Sequence, residues 1–307
     1  MSTKLIRFDW AIKKLLRDKA NFVILEGFLS VVLKQDIKIV EVLESEGNQE
    51  TENDKFNKVD LLVKNETDEL IIIEVQNNKE YDYFQRMLYG TSKVITEHLN
   101  KGDSYSKVKK VFSITVAYFD LGQGVDYVYY GKTEFTGIHS NETLQLSEKQ
   151  IRLFKKNNVK EVYPEYYIIK ADKFDNSKVS DKLDEWIYFL KNSEIPDSFT
   201  APGLKEAKET LAEIKMSETE RKEYERFNKR LRDIASENFT KEADYRFALD
   251  KKYEEGIEQG IEKGIEQGKS ERDVEIAKKS IEQGLDDQTI STITGLTVEF
   301  INSTLRS

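Results

Sequence analysis

The sequence predicts an α/β fold, and three observations carry that prediction. Short β-rich apolar runs alternate with stretches of helical spacing, in the order α-β-β-β-α-β, before further strands and helices. Those apolar runs are broken by turn residues such as Asn65-Glu66-Thr67-Asp68. The chain has 307 residues, of which 38% are hydrophobic, enough for one large domain with additions or for two domains.

Taken in order, residues 9–34 read as two helices. Ile12, Leu15 and Leu16 share a face in the first, and Phe22 to Leu33 is almost wholly apolar and is expected to be buried. Ile37 to Leu43 alternates as a strand does, and the acidic stretch Glu44 to Asn57 reads as a loop. Lys58 to Gln76 forms a hairpin about the Asn65–Asp68 turn. In Asn77 to Leu99, Tyr81, Phe84, Met87, Leu88, Val94 and Ile95 have helical spacing, so the hairpin is expected to run straight into a long helix, with Arg86 and Tyr89 one turn apart on a shared face. Val108 to Phe119 is a strong strand, Tyr127 to Tyr130 and Phe135 to His139 suggest more, and Glu165 to Lys170 is another. From Asp181 the pattern turns helical, with Leu183, Trp186, Ile187 and Leu190 on one face.

Two of the three prolines fall in Ile195 to Gly203, a loop or domain boundary. Residues 204–255 are helix-forming and densely charged, with a partial apolar stripe of Leu211, Ile214, Tyr224, Phe227, Leu231 and Ile234. Glycine then recurs at 256, 260, 264 and 268, each of the first three followed by isoleucine and glutamate. On a helix this makes a glycine groove beside an isoleucine ridge, and each glycine costs a helix about 1 kcal/mol against alanine. The repeat is compatible with close packing in a homo-oligomer or with a semi-flexible connector. Asp273 to Leu305 reads as three short helices with Asp286 and Thr297 as caps. It has a helix-turn-helix rhythm, yet Arg306 is the one basic reader on its last helix, which favours a packing role over DNA reading. The expected division is 1–200, 201–255 and 256–307.

Composition removes several classes of function. There is no cysteine, so disulfides, thiolate zinc sites and cysteine nucleophiles are excluded, and a reducing cytoplasm is the expected location. Histidine is limited to His98 and His139, both read as ordinary surface residues. No apolar run is long enough to span a bilayer, and no signal-peptide pattern opens the chain. The net charge of −9 argues against a broad electrostatic grip on nucleic acid but leaves room for a local basic groove.

Within the hairpin, acidic residues interrupt apolar strands. Asp60 sits beside Val59, Leu61 and Leu62, and Glu74 lies between Ile73 and Val75. Ile72, Glu74 and Gln76 share one face by alternation. A loop with an odd number of residues, such as Glu66 to Asp68, pairs residue 60 with residue 74 and sets two carboxylates side by side. Like charges so placed cost up to about 1 kcal/mol before desolvation. A divalent cation relieves that cost, and Mg²⁺ takes one or two carboxylates while keeping its waters. The alternative is an amphipathic hairpin whose Asp60, Glu74 and Gln76 face solvent. Glu26, inside the apolar second helix, is either an edge residue reaching out to water or a site residue.

The residues in this order resemble the core of the PD-(D/E)xK nuclease superfamily, and within it the recombination-promoting nuclease and transposase family. Carrying the resemblance are Asp60, Ile73-Glu74-Val75-Gln76, Arg86-Met-Leu-Tyr89-Gly, the opening Phe8-Asp9-Trp-Ala-Ile-Lys13-Lys, Gly27 to Leu33, and Gly102 to Val111 with its strand. It spans residues 5–175 well and the tail loosely. What it implies is a restriction-endonuclease-like core, a mixed central sheet flanked by helices, followed by a helical C-terminal extension. It implies Mg²⁺- or Mn²⁺-dependent cleavage of DNA, with Asp60, Glu74 and the Val75 carbonyl holding the metal. Glu26 matches an added acidic position, and Arg86 and Tyr89 point toward the scissile phosphate or cap the sheet. Gln76 stands where lysine is usual in the superfamily, although Glu-x-Gln is typical of this family. An amide can orient water but cannot neutralise charge. A nuclease-fold binding or regulatory module is therefore the alternative expectation.

Overall fold

The computed structural model describes residues 5–43, 59–212 and 215–305. The expected Glu44–Asn57 loop, Ile214 and Arg306 lie outside them. By internal contacts the chain divides into two units, Met1–Leu231 and Arg232–Ser307.

In the first unit, helix α1 (Phe8–Lys14) and helix α2 (Phe22–Leu33) precede strand β1 (Ile39–Leu43), as the apolar spacing predicts. The hairpin follows as β2 (Leu61–Asn65) and β3 (Leu70–Gln76). Its three-residue loop closes with Asp68 in the left-handed region (φ 62°), while the Asn65 side chain accepts from the Glu69 N–H at 2.8 Å. Helix α3 (Tyr83–Glu97) crosses to β4 (Val111–Ala117). After it come β5 (Val128–Gly131), helix α4 (Glu148–Phe154), β6 (Glu165–Lys170), and helices α5 (Lys182–Asn192) and α6 (Leu204–Thr210). Helix α7 (Glu218–Glu282) begins in this unit.

The six strands form one mixed sheet in the order β1-β2-β3-β4-β6-β5. β1, β2 and β3 run antiparallel, β3, β4 and β6 run parallel, and β5 is an antiparallel edge. This is the mixed, helix-flanked α/β sheet expected from the sequence. The parallel β3–β4 pair requires the long α3 crossover, because a tight turn cannot join parallel strands. Both strands are covered on their two faces, which is why they read as near-continuous apolar runs.

One face of the sheet holds the main core, in which Phe8, Phe28, Trp186 and Phe189 meet edge to face or tilted at centroid distances of 5.3–6.2 Å. On the other face, Leu62, Leu70, Ile72 and Val111 pack under Val94 of α3. The loop Ile195–Gly203 belongs to the main core: Ile195 and Ala201 are buried, and the Pro202 carbonyl accepts from the Trp186 indole at 3.1 Å. A Cβ added at Gly27 would come far inside contact distance of that same carbonyl oxygen, so it has no room. Gly27→Ala is therefore expected to destabilise the protein by about 2–3 kcal/mol, as overpacking does, read as a lower denaturant midpoint.

Several stretches differ from expectation, among them residues 273–282, expected as the first of three short helices but continuous with α7. Helix α3 starts only at Tyr83, after a connection of turns from Asn77 to Asp82, because Asn77 is drawn into side-chain bonds with Arg7 and Asp9. Phe135–His139 is not a strand: it holds a single bridge between Thr136 and Thr143, closed by a turn in which the Gly137 N–H donates to the Glu142 carbonyl.

In the second unit, the Gly256–Gly268 repeat is helical, with Ile257, Ile261 and Ile265 exposed and open space at each of the repeat's glycines. Helix α8 (Asp287–Thr294) and the single turn α9 (Val298–Phe300) fold back so that Ala277, Ile290 and Ile301 form a small core. Both expected caps are present, Asp286 accepting from the Thr289 N–H and Thr297 from the Phe300 N–H. Among the described residues, no helix is long and apolar enough to cross a membrane.

Candidate active site

The hairpin register continues directly into the candidate site. Leu61 pairs with Ile73, so one residue further along brings Asp60 across from Glu74. The Asp60 carboxylate is held from two sides: Oδ2 accepts from the Val75 N–H at 2.8 Å, and Oδ1 pairs with the Lys13 ammonium of α1 at 2.9 Å. Arg17 donates to the Asp60 carbonyl at 2.7 Å. Thus the end of α1 and the residues just after it clamp the start of β2.

Glu74 is not solvent-facing. It is 5% exposed and lies on the face that α3 covers, where Oε2 accepts from the Tyr83 hydroxyl at 2.7 Å. Tyr83 in turn lies 3.2 Å from the buried Thr115 hydroxyl of β4. Burial raises the Glu74 carboxyl above the ordinary range, opposed by the Tyr83 hydrogen bond and by the Arg86 charge, while Asp60 adds to the rise. Tyr83 is raised as well, by burial and by the neighbouring Glu74 charge. Removing the hydroxyl in Tyr83→Phe leaves a buried carboxylate short of a donor. We expect a loss of about 1–3 kcal/mol in stability, measured by chemical denaturation at pH 7.

Gln76 ends β3 half-buried, on the same face as Glu74. Beyond it, Asn77 donates to the buried Asp9 carboxylate at 3.0 Å, and Arg7 bonds both Asp9 and Asn77. This network pins the end of β3 to α1. β3 and β4 are parallel, so the site lies at their carboxyl ends, where ligands bind in open α/β sheets.

The other predicted residues fall as follows. Arg86 lies on α3 with its guanidinium bound to Glu80 at 2.9 Å, and Tyr89 is exposed one turn further on. Glu26 is not brought to Asp60 and Glu74. Its carboxylate accepts from the Ile39 N–H at 2.9 Å and pairs with Lys38 at 3.2 Å. Ile39 pairs with Asn65, at the turn end of β2, whereas Asp60 precedes the opposite end. Tyr83 was not legible as a site residue from spacing. A sequence feature that marks its Thr115 partner is the alternation of polar Ser113 and Thr115 through the apolar β4 run.

The donor set is chemically suited to a hard divalent cation. Asp60 and Glu74 supply carboxylate oxygens. The main chain of Val75 faces β2, because the Leu70 N–H and the Gln76 carbonyl are both used toward β4 and strand groups alternate sides. Its carbonyl therefore leaves the strand on the side of Asp60. Among the described residues no group of three or more histidine, cysteine or acidic side chains is placed to hold a metal. Two carboxylates with a carbonyl match Mg²⁺, which retains several waters, better than Zn²⁺, which prefers nitrogen and sulfur. The buried, charge-stressed Glu74 fits that group: a cation offsets its desolvation.

No curated protein and no solved structure matches the chain. A family model described as PD-(D/E)XK nuclease family transposase matches residues 6–240, an interval that contains the whole sheet, Asp60, Glu74 and Gln76. The chain belongs to the PD-(D/E)XK nuclease family of transposases.

Proposed function

We propose that this protein is a divalent-metal-dependent endonuclease that hydrolyses phosphodiester bonds of DNA in recombination or the movement of mobile DNA. The observation that carries the reading is the buried Glu74 set in register with Asp60 at the carboxyl ends of parallel β3 and β4. Family membership supports the same chemistry.

In this reading Asp60, Glu74 and the Val75 carbonyl hold Mg²⁺, with Mn²⁺ as a substitute. When bound, the cation supplies Lewis acidity to the phosphate and lowers the pKa of a water. The chain's own residues orient the reactants. The Val75 N–H and Lys13 hold the Asp60 carboxylate, and Tyr83 holds Glu74. Gln76, with an amide that both donates and accepts, orients the attacking water. Arg86 and Tyr89 are the α3 side chains offered to the DNA backbone, and Glu26 has no part in the reaction.

The test is nicking of supercoiled plasmid by the full chain, with Mg²⁺, with Mn²⁺ and with EDTA. Nicking that appears with either metal and disappears with EDTA is expected. Wild-type protein that binds plasmid yet never nicks it with either metal overturns the reading in favour of a binding module.

A further inference from the structure

Gln76 leaves the candidate site with a charge problem. Asp60 and Glu74 contribute −2 between them, and an amide offsets none of it. The nearest cationic group bound to either carboxylate is Lys13, whose ammonium lies 2.9 Å from Asp60 Oδ1. Lys13 sits in the last turn of α1, and its side chain stays 45% exposed, so the ammonium stands at the rim of the site. Arg17, four residues on, bonds the Asp60 carbonyl and leaves its buried Nε without a partner. The end of α1 is therefore built around Asp60, not merely near it.

We propose that Lys13 is the positioning residue that supplies, through Asp60, the positive charge that Gln76 cannot. This rests on the nuclease reading above. With Lys13 the carboxylate pair and ammonium sum to −1. A divalent cation and one phosphodiester, +2 and −1, then bring the assembled site to zero. Without Lys13 the same assembly carries −1, and the remaining cation near the pair, Arg86, is already bound to Glu80.

The same geometry has a second consequence, opposite in sign. An ammonium beside Asp60 competes electrostatically with any cation that Asp60 holds. Lys13 thus weakens metal binding while aiding cleavage, a combination that a purely structural contact does not produce.

The test uses the full chain, Mn²⁺ calorimetry and plasmid nicking, with melting curves for every variant. Lys13→Met is expected to bind Mn²⁺ roughly fivefold more tightly, the scale of a half-exposed ion pair. It is expected to nick plasmid about 10²-fold more slowly. Lys13→Arg is expected to keep most of the cleavage rate, and Lys13→Met combined with Gln76→Lys to recover at least part of it. Unchanged Mn²⁺ affinity or unchanged cleavage in Lys13→Met overturns the proposal while leaving the nuclease reading intact. So does a joint fall in metal affinity, cleavage and melting temperature, which marks a structural role. Wild-type protein that neither binds Mn²⁺ nor nicks DNA removes the nuclease reading, and this proposal with it.

Discussion

Asp60→Asn is expected to abolish metal-dependent nicking, by about 10³-fold or more, while leaving the fold intact. The size follows from what the carboxylate does: a Lewis-acid metal contributes several kcal/mol to the transition state, and each 1.36 kcal/mol is about tenfold in rate. Asparagine is the informative replacement because its amide oxygen still accepts from the Val75 N–H, so the hairpin end keeps its hydrogen bond. Only the charge and the Lys13 ion pair are lost, and a half-exposed pair contributes at most about 1 kcal/mol. Melting should move by no more than about 2–4 °C. Asp60→Ala removes the acceptor as well, and should lose cleavage together with more stability. Nicking by Asp60→Asn at the wild-type rate would rule this carboxylate out of the site.

Glu74→Gln should separate activity from stability in the opposite direction. The carboxylate is buried, and its pKa is raised chiefly by desolvation, so the folded state resists its ionisation. Below the ordinary carboxylate range Glu74 is protonated in both folded and unfolded chains, and carries no penalty. As pH rises through the raised folded value, the ionised carboxylate weakens the metal-free protein. Glutamine still accepts from the Tyr83 hydroxyl but never ionises. The variant is therefore expected to be more stable than wild type at pH 7. The difference should shrink to nothing in acid, and cleavage should be lost at every pH. Adding Mn²⁺ should raise the wild-type melting temperature and leave that of Glu74→Gln nearly unmoved. Equal stability of the two proteins across the pH range would contradict the assignment of a stressed, buried carboxylate.

The site was legible where it depends on strand periodicity. Given a turn with an odd number of residues, a period of two sets Asp60 against Glu74, and the Leu61–Ile73 pairing shows that the condition is met. What periodicity left open was whether that face meets water or protein. A strand pattern reports alternation, not cover, and only the position of α3 decides that Glu74 is enclosed beneath Tyr83. Glu26 illustrates the same limit from the other side. An acidic residue in an apolar helix is consistent with a site, yet the local geometry gives its carboxylate to Ile39 and Lys38 at the turn end of the hairpin.

Local chemistry in the chain determined the fold class, the hairpin and its turn, and the Asp286 and Thr297 caps. These depend on neighbours within a few residues, where side-chain period and turn stereochemistry act directly. Tertiary structure alone decided which cation faces Asp60 and which hydroxyl holds Glu74. Lys13 and Asp60 are separated by much of the chain before the hairpin, and Tyr83 reaches Glu74 only after the connection from Asn77 to Asp82 turns back over the sheet. Contacts of that kind are chosen by how α1 and α3 pack on the two faces, a property of the assembled core that no window of sequence contains.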